Sequence, residues 1–341
     1  MDRNLKYNLA LISCHAHYFN LLECIEEFKI AKSDTVLVFF YLKTDLSSQR
    51  FFHNDLAVSE WRQVFFEPIW NLRTLRISNA INFINYKRLM FKLKKDQYDT
   101  LIASHYNIRY FTNCINYLKY NNLIALDEGN AVFKIIEQRF SKLKSSFYSL
   151  IDKILGLNTA EPPNITFFSV YNITVPKCDV LVKNNFTYSS NIIQNKIIDT
   201  NKVFIVGGPL VEDKILDLDY YCHLLQYIQN SYSKFEIYYI PHRRESNKNL
   251  LKYSTEYNFR ILETNLPIEL FLLNGNDIPG HVVGFTSAGL SNLHKILNKT
   301  DSIVISIKYN TKMISNKEYE DIENVVYENF AKEGISILEV N

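Results

Sequence analysis

Val203-Phe204-Ile205-Val206-Gly207-Gly208-Pro209 lies just past the middle of the 341-residue chain, four apolar residues running straight into a Gly-Gly-Pro turn. The run is too short for a helix and rich in β-branched and aromatic side chains, so it reads as a buried strand. Helical periodicity follows over Asp219–Asn230, then a second apolar run, Phe235–Ile240, that stops at Pro241-His242. Short apolar strands alternating with longer helical segments point to a parallel sheet covered by helices. Toward the C-terminus the rhythm continues through helices near Asn247–Glu256 and Pro267–Leu273, strand His281–Phe285, helix Ser287–Leu297, strand Ser302–Ile307 and helix Lys317–Glu333.

The same rhythm occupies the first half. Strands are expected at Tyr7–Ser13, Thr35–Leu42, Thr100–Ser104 and Leu123–Leu126, with helices at Tyr18–Ile30, Ala80–Lys95, Ile108–Leu118 and Phe140–Ile154. Extended pieces follow over Ile165–Val182, and the polar stretch Lys183–Asn201 reads as a connection. The expectation is an α/β chain of two Rossmann-like domains, 1–190 and 191–341, facing each other across a cleft. The last helix is free to pack back on the first domain.

Charge and composition exclude several classes. The net charge is +2 with acids and bases scattered, which lacks the clustered Lys/Arg of a nucleic-acid footprint. The densest basic run holds Lys87, Arg88, Lys92, Lys94 and Lys95. It reads either as a solvated helix face or as a patch for an anionic membrane surface or lipid-linked acceptor. Cys14, Cys24, Cys114, Cys178 and Cys222 are widely spaced and form no CxxC pair, so neither a disulfide framework nor a zinc site is expected. With 23 Tyr against 2 Trp, amphipathic rings are plentiful, but an AT-rich genome also raises Tyr, Asn, Ile and Lys, so composition alone identifies no sugar site. No signal peptide is evident, and no stretch reaches the roughly 18 apolar residues of a membrane span. A cytoplasmic chain is expected, free or peripheral at the inner face of the membrane.

In open α/β sheets, ligands bind beyond the carboxyl ends of the strands. Four polar clusters fall there: Asp127-Glu128-Gly129-Asn130, Gly207-Gly208-Pro209 with Glu212, Pro241-His242-Arg243-Arg244-Glu245 and Thr286-Ser287-Ala288-Gly289. Asp127 and Glu128 either cap a helix or serve as a base or orienting carboxylate. His242 is either a strand-end hydrogen bonder or a donor to a phosphate leaving group, with Arg243 adding positive field. Arg244 and Glu245 read as surface residues. Thr286 and Ser287 open a helix, as ordinary caps or as part of an anion site at its positive end. Glu269, in the first turn of a helix after Pro267, either stabilises that helix end or accepts two ribose hydroxyls. His15, His17 and His105 also lie near strand ends. Asp217-Leu218-Asp219 begins a helix, so capping explains it better than metal binding.

These clusters resemble the short motifs of the bacterial sialyltransferases: an acidic pair followed by Gly, a His-Pro pair, and a Ser-Ser/Thr pair. Asp127-Glu128-Gly129 is similar to the first, Pro241-His242-Arg243-Arg244 to the second, with Arg243 where the family usually has proline, and Thr286-Ser287 to the third. Their order matches across roughly Asn8 to Leu290, and the chain is most similar to glycosyltransferase family 52, the lipooligosaccharide sialyltransferases. The resemblance implies a GT-B fold, inversion at the sialic acid anomeric carbon, CMP-sialic acid as donor, and no metal or other cofactor. It implies that His242 meets the leaving CMP phosphate, that Thr286 and Ser287 hold that phosphate, and that Glu269 binds the ribose. Gly208 and Arg243 would complete the donor side, and Glu128 and Asn130 the acceptor side. The base would be Asp127 or Glu212. The implied acceptor is a galactose-terminated lipooligosaccharide or capsular glycan, and a homodimer is implied by relatives. Two other readings stay open: a transferase of the same fold using another nucleotide sugar such as a glucose donor, and a non-catalytic glycan- or nucleotide-binding protein.

Overall fold

Leu9, Ala10, Leu11 and Ile12 are fully buried, as a strand covered by helices on both faces must be. They belong to a computed structural model that describes residues 7–41, 58–69, 77–127, 131–141, 152–264, 266–314 and 318–340. The chain divides into two units, Met1–Tyr188 and Ser189–Asn341.

The first unit contains β1 (Tyr7–Ile12), α1 (His15–Glu27), β2 (Thr35–Tyr41), β3 (Gln63–Pro68), α2 (Ile77–Leu93), β4 (Gln97–Ala103) and α3 (Arg109–Tyr117). It continues with β5 (Lys119–Leu126), α4 (Ala131–Ser141), β6 (Ile165–Ser169) and β7 (Val180–Lys183). All strand pairs are parallel, in the order β3-β2-β1-β4-β5-β6-β7, so the winding reverses between β1 and β4. Leu9 and Leu11 of β1, Tyr86 and Leu89 of α2 and Phe111 of α3 share one buried core.

A short helix, α5 (Thr187–Ile193), carries the chain across the boundary. The second unit then holds β8 (Ile197–Val206), α6 (Leu218–Ser231), β9 (Glu236–Ile240), α7 (Asn247–Tyr257), β10 (Arg260–Ile261) and α8 (Ile268–Asn274). After these come β11 (Asp277–Gly284), α9 (Ala288–Leu297), β12 (Ile303–Lys308), α10 (Glu318–Glu333) and β13 (Ser336–Glu339). The parallel order is β10-β9-β8-β11-β12-β13, reversing between β8 and β11. Both sheets thus have the doubly wound order whose reversal point is a natural ligand crevice. The α/β class read from the sequence is the class observed.

Some boundaries differ from expectation. Strand β8 begins at Ile197 rather than Val203, passing a register shift opposite Pro279 and His281. Gly280 sits at that shift because a Cβ there would lie 2.8 Å from the Thr200 Cα. The polar stretch expected as a connection contains α5, held to the first unit by backbone and hydroxyl groups: the Tyr188 N–H donates to Glu23 Oε2 at 2.9 Å, and Thr187 Oγ1 to Glu27 Oε2 at 3.3 Å. Of the helix expected over Phe140–Ile154, residues 142–151 lie outside the described residues. No helix among the described residues is long and apolar enough to cross a membrane.

Candidate active site

Strands β9, β8 and β11 are neighbours and end at one level, because Val206 pairs with both Ile240 and Gly284. Strand spacing of about 4.8 Å therefore places the loops after β9 and β11 within about 10 Å of each other, with the Gly207-Gly208 loop between them. The sequence sends His242, Gly207 and Thr286-Ser287 off these three ends.

The Gly207 N–H extends the ladder to Ile240 O at 2.9 Å. No side chain fits at Gly207: a Cβ would lie 2.8 Å from the Tyr239 hydroxyl and in conflict with Glu245 Oε1. Gly208 is under no such constraint, since its Cβ position meets only Leu210 at 3.8 Å. The glycine that space demands is therefore Gly207.

His242 heads a tight turn. Its N–H donates to Glu245 Oε1 at 2.6 Å, and the Glu245 N–H donates to its carbonyl at 2.9 Å. The Arg244 N–H donates to His242 Nδ1 at 3.2 Å, which puts the ring proton on Nε2. Burial, followed by the charges of Arg244 and Arg243, lowers the His242 pKa, so the ring is neutral at pH 7 and donates through Nε2. Arg243 is exposed, and Arg244 pairs with Asp213 at 2.7 Å.

Glu245 is not a surface residue. It is buried, with Oε2 accepting from the Tyr239 hydroxyl at 2.6 Å, itself bonded to the Tyr221 hydroxyl at 2.8 Å. Burial pushes its pKa up to about 7, against the downward pull of the Tyr239 and His242 bonds. Sequence reasoning missed it because a Glu beside two arginines looks solvated. The available signal was its place three residues after a strand-end His, within reach of that residue's N–H.

Glu212 occupies the start of α7. Its Oε1 accepts from the Ser246 N–H at 2.9 Å and from Asn249 Nδ2 at 3.0 Å. Ser246 is the N-cap of that helix and accepts from the Asn249 N–H at 3.3 Å. Glu212 thus completes a capping box from a different loop. Asp217 stands at the N-cap position of α6 and Asp219 in its first turn, where the helix dipole favours them.

Ser287 caps α9, its Oγ accepting from the Gly289 N–H at 3.2 Å and leaving the hydroxyl proton to donate outward. Glu269 of α8 lies against the same turn, with Oε1 4.0 Å from the Cβ position of Gly289. It is buried, accepts from Asn292 Nδ2 at 2.7 Å, and has its pKa raised by burial. Asn292 is a partner the sequence reading did not single out. Thr286 interacts with the Tyr309 hydroxyl, which donates to buried Glu323 at 2.7 Å.

Asp127 belongs to the first unit, at the end of β5. It is buried, and Oδ2 accepts from Ser169 Oγ at 2.9 Å and from the Val170 N–H at 3.0 Å, while its carbonyl accepts from Asn20 Nδ2 at 2.9 Å. It fastens the ends of β5 and β6 to α1. Glu128, Gly129 and Asn130 lie outside the described residues. At the reversal point of this sheet, His17 meets His105 edge-on at 4.4 Å, and Ser13 Oγ lies 3.1 Å from His17 Nδ1. Burial and then His105 push the His17 pKa down to about 3, so that ring is neutral. The three histidines were noted as strand-end residues; 88 positions of sequence hid the contact between two of them. Among the described residues, no three His, Cys, Asp or Glu side chains gather as metal ligands would.

A family model described as "Alpha-2,8-polysialyltransferase (POLYST)" matches residues 8–306. No curated protein sequence matches the chain. Among solved structures, the chain is similar to a sialyltransferase from Photobacterium damselae, residues 113–497, described as its GT-B domain, at 9% identity and TM-score 0.49 over 98% of this chain and 100% of that one. It is similar to the E. coli heptosyltransferase WaaC bound to ADP-2-deoxy-2-fluoro heptose, at 12% identity and TM-score 0.44 over 88% of each chain. Acinetobacter baumannii MurG is also similar, at 7% identity and TM-score 0.44 over 98% of this chain and 86% of that one.

Proposed function

Because the chain belongs to the alpha-2,8-polysialyltransferase family, we propose that it is an inverting, metal-independent sialyltransferase that uses CMP-sialic acid. The observation that carries this reading is the row of strand ends in the second unit. A neutral imidazole with its proton on Nε2 and a Ser-capped helix start flank a loop with no side chain at Gly207. Such a row offers fixed donors to a departing phosphate. The motif resemblance to the bacterial sialyltransferases supports the same donor.

In the proposed reaction an acceptor hydroxyl attacks the anomeric carbon of the sialyl group and loses its proton to a carboxylate. The bond to the phosphate oxygen of CMP breaks with inversion. His242 Nε2–H, the Ser287 hydroxyl and the start of α9 meet the phosphate charge, and Thr286 supports that turn. Gly208 lines the phosphate path through its backbone, Arg243 adds field from the exposed side, and Glu269 takes the ribose. Asp127 and Glu212 are the two bases proposed, with Glu128 and Asn130 orienting the acceptor. Each carboxylate already spends one oxygen on the fold, Glu212 on the cap of α7 and Asp127 on β6. Residues 1–190 form the acceptor side and 191–341 the donor side.

The test is incubation of the purified chain with CMP-sialic acid and a panel of galactosides and sialosides, with and without EDTA. UDP-glucose serves as the competing donor. Transfer from CMP-sialic acid alone, indifferent to EDTA, is the expected result, and His242→Ala lowers kcat by about 100- to 1000-fold. Transfer from UDP-glucose, or an undiminished rate in the variant, overturns the reading. Chelator-sensitive transfer removes its metal-free part. Asp127→Asn and Glu212→Gln then separate the two bases.

A further inference from the structure

Helix α2 buries Tyr86, Leu89, Met90 and Leu93 in the first core, so the fold uses only one of its faces. The outward face is not an ordinary solvated one. Ile81, Ile84 and Phe91 are 52%, 50% and 65% exposed, and Arg88, Lys92 and Lys95 are exposed beside them. Positions 81, 84, 88 and 91 recur every three or four residues along the helix and therefore form one stripe. Phe83, Ile84, Lys87 and Phe91 line a groove of about 590 Å³ along it, and Lys95, in the turn just after the helix, lines the same groove. From Ile77 to Lys95 there are five cations and no acid, in a chain whose net charge is only +2.

We propose that the outer face of α2 docks on an anionic lipid surface, with Arg88, Lys92 and Lys95 at the phosphate level and Ile84 and Phe91 entering the acyl boundary. Interleaved cations and apolar side chains on one helix face match the headgroup layer, which supplies negative charge and apolar depth together. A second copy of the chain fits poorly, because this face would set Arg88, Lys92 and Lys95 against the same three cations with no acid on the helix to pair them. The Lys95 ammonium lies 5.4 Å from the Phe91 ring centre, so cation and apolar anchor stand side by side. The inference holds whichever donor the chain uses.

The experiment is sedimentation of the full chain with vesicles of phosphatidylcholine alone or mixed with phosphatidylglycerol. Mixed vesicles carry the chain down at least roughly tenfold better, and added salt weakens the effect. Arg88→Gln with Lys95→Gln lowers the partition roughly thirtyfold. Ile84→Ser with Phe91→Ser, which leaves the charge intact, lowers it roughly tenfold. Unchanged thermal unfolding shows that the exposed substitutions preserve the fold. Should either variant fail to fold, the comparison between the two lipid mixtures still decides. Equal sedimentation with both lipids, no sedimentation with either, or wild-type binding by either folded variant overturns the proposal. So does a dimer seen by light scattering that the Ser variant dissolves while vesicle binding is absent.

Discussion

Glu245 links the residues that the sequence marked with those it concealed. Its carboxylate holds the His242 N–H, fills the space that Gly207 leaves open, and ends the Tyr221–Tyr239 hydroxyl chain. Gly207→Ala forces a methyl against that carboxylate and against the Tyr239 hydroxyl, both buried, and should lower unfolding stability by about 1–3 kcal/mol. Gly208→Ala meets only ordinary contact and should change stability by less than about 0.5 kcal/mol. Urea unfolding of the pair checks the contrast; equal losses would mean that the turn, rather than the packing at Gly207, sets the requirement. The titration of Glu245 makes a second prediction. Folded, its pKa is about 7, above the ordinary carboxyl value of 4.5. Between these limits the folded chain keeps a proton that the unfolded chain releases, so this residue's contribution is fully present at low pH and falls as pH rises through about 7. Glu245→Gln removes that slope, so relative to wild type it gains up to about 3 kcal/mol between about pH 4.5 and about pH 8. Unfolding midpoints at both ends of the window measure it, and a constant gap between the two proteins would show that the carboxyl does not titrate there.

At the scale of elements, legibility follows burial. Interior strands β1 and β2 and the Val203–Val206 end of β8 are apolar runs because helices cover both faces, and these were readable, whereas the polar, more exposed Ile197–Lys202 half of β8 was not. Edge strands β3, β10 and β13 were not, since an edge strand keeps polar and partly exposed positions and β10 has only two residues. Helix α5 was hidden for another reason: its polar residues answer Glu23 and Glu27, partners more than 150 positions away. The same kind of distant pairing holds α4. Arg139 is buried, donates to both carboxylate oxygens of buried Asp179, and reaches Glu161 at 3.1 Å. Asp179 also accepts from the Ile165 N–H at 2.8 Å, so the ion pair secures the start of β6. Arg139→Ala strands a buried carboxylate and should lower unfolding stability by about 3–5 kcal/mol. Arg260→Ala breaks a pair whose members are 62% and 41% exposed, and should leave the unfolding midpoint nearly unchanged. Denaturant unfolding of the two variants compares them directly; a small loss at Arg139 would place Asp179 in contact with water.

At the scale of the molecule, each unit closes on its own sheet and its own core. In the sequence the strand–helix rhythm restarts at Val203, and strand ends, with the loops that follow them, can be located from apolar runs alone. What could not be read was the layer beneath those loops. Tyr221, Tyr239, Phe285 and Tyr309 look like generic core residues, yet Tyr239 holds Glu245, which holds the His242 N–H, and Tyr309 meets Thr286. That layer decides a last prediction. Every proposed donor contact, Gly208, His242, Arg243, Glu269, Thr286 and Ser287, lies in Ser189–Asn341, and its supports Glu245, Asn292 and Glu323 lie there too. A fragment of Ser189–Asn341 should therefore unfold cooperatively and bind CMP within about tenfold of the whole chain, a difference of no more than about 1.4 kcal/mol. Met1–Tyr188 alone should not bind it. Calorimetric titration of CMP into the two fragments measures both. A folded second fragment that ignores CMP would mean that the nucleotide site draws essential groups from the first unit, and that the imidazole and the capped helix do not suffice to hold a phosphate.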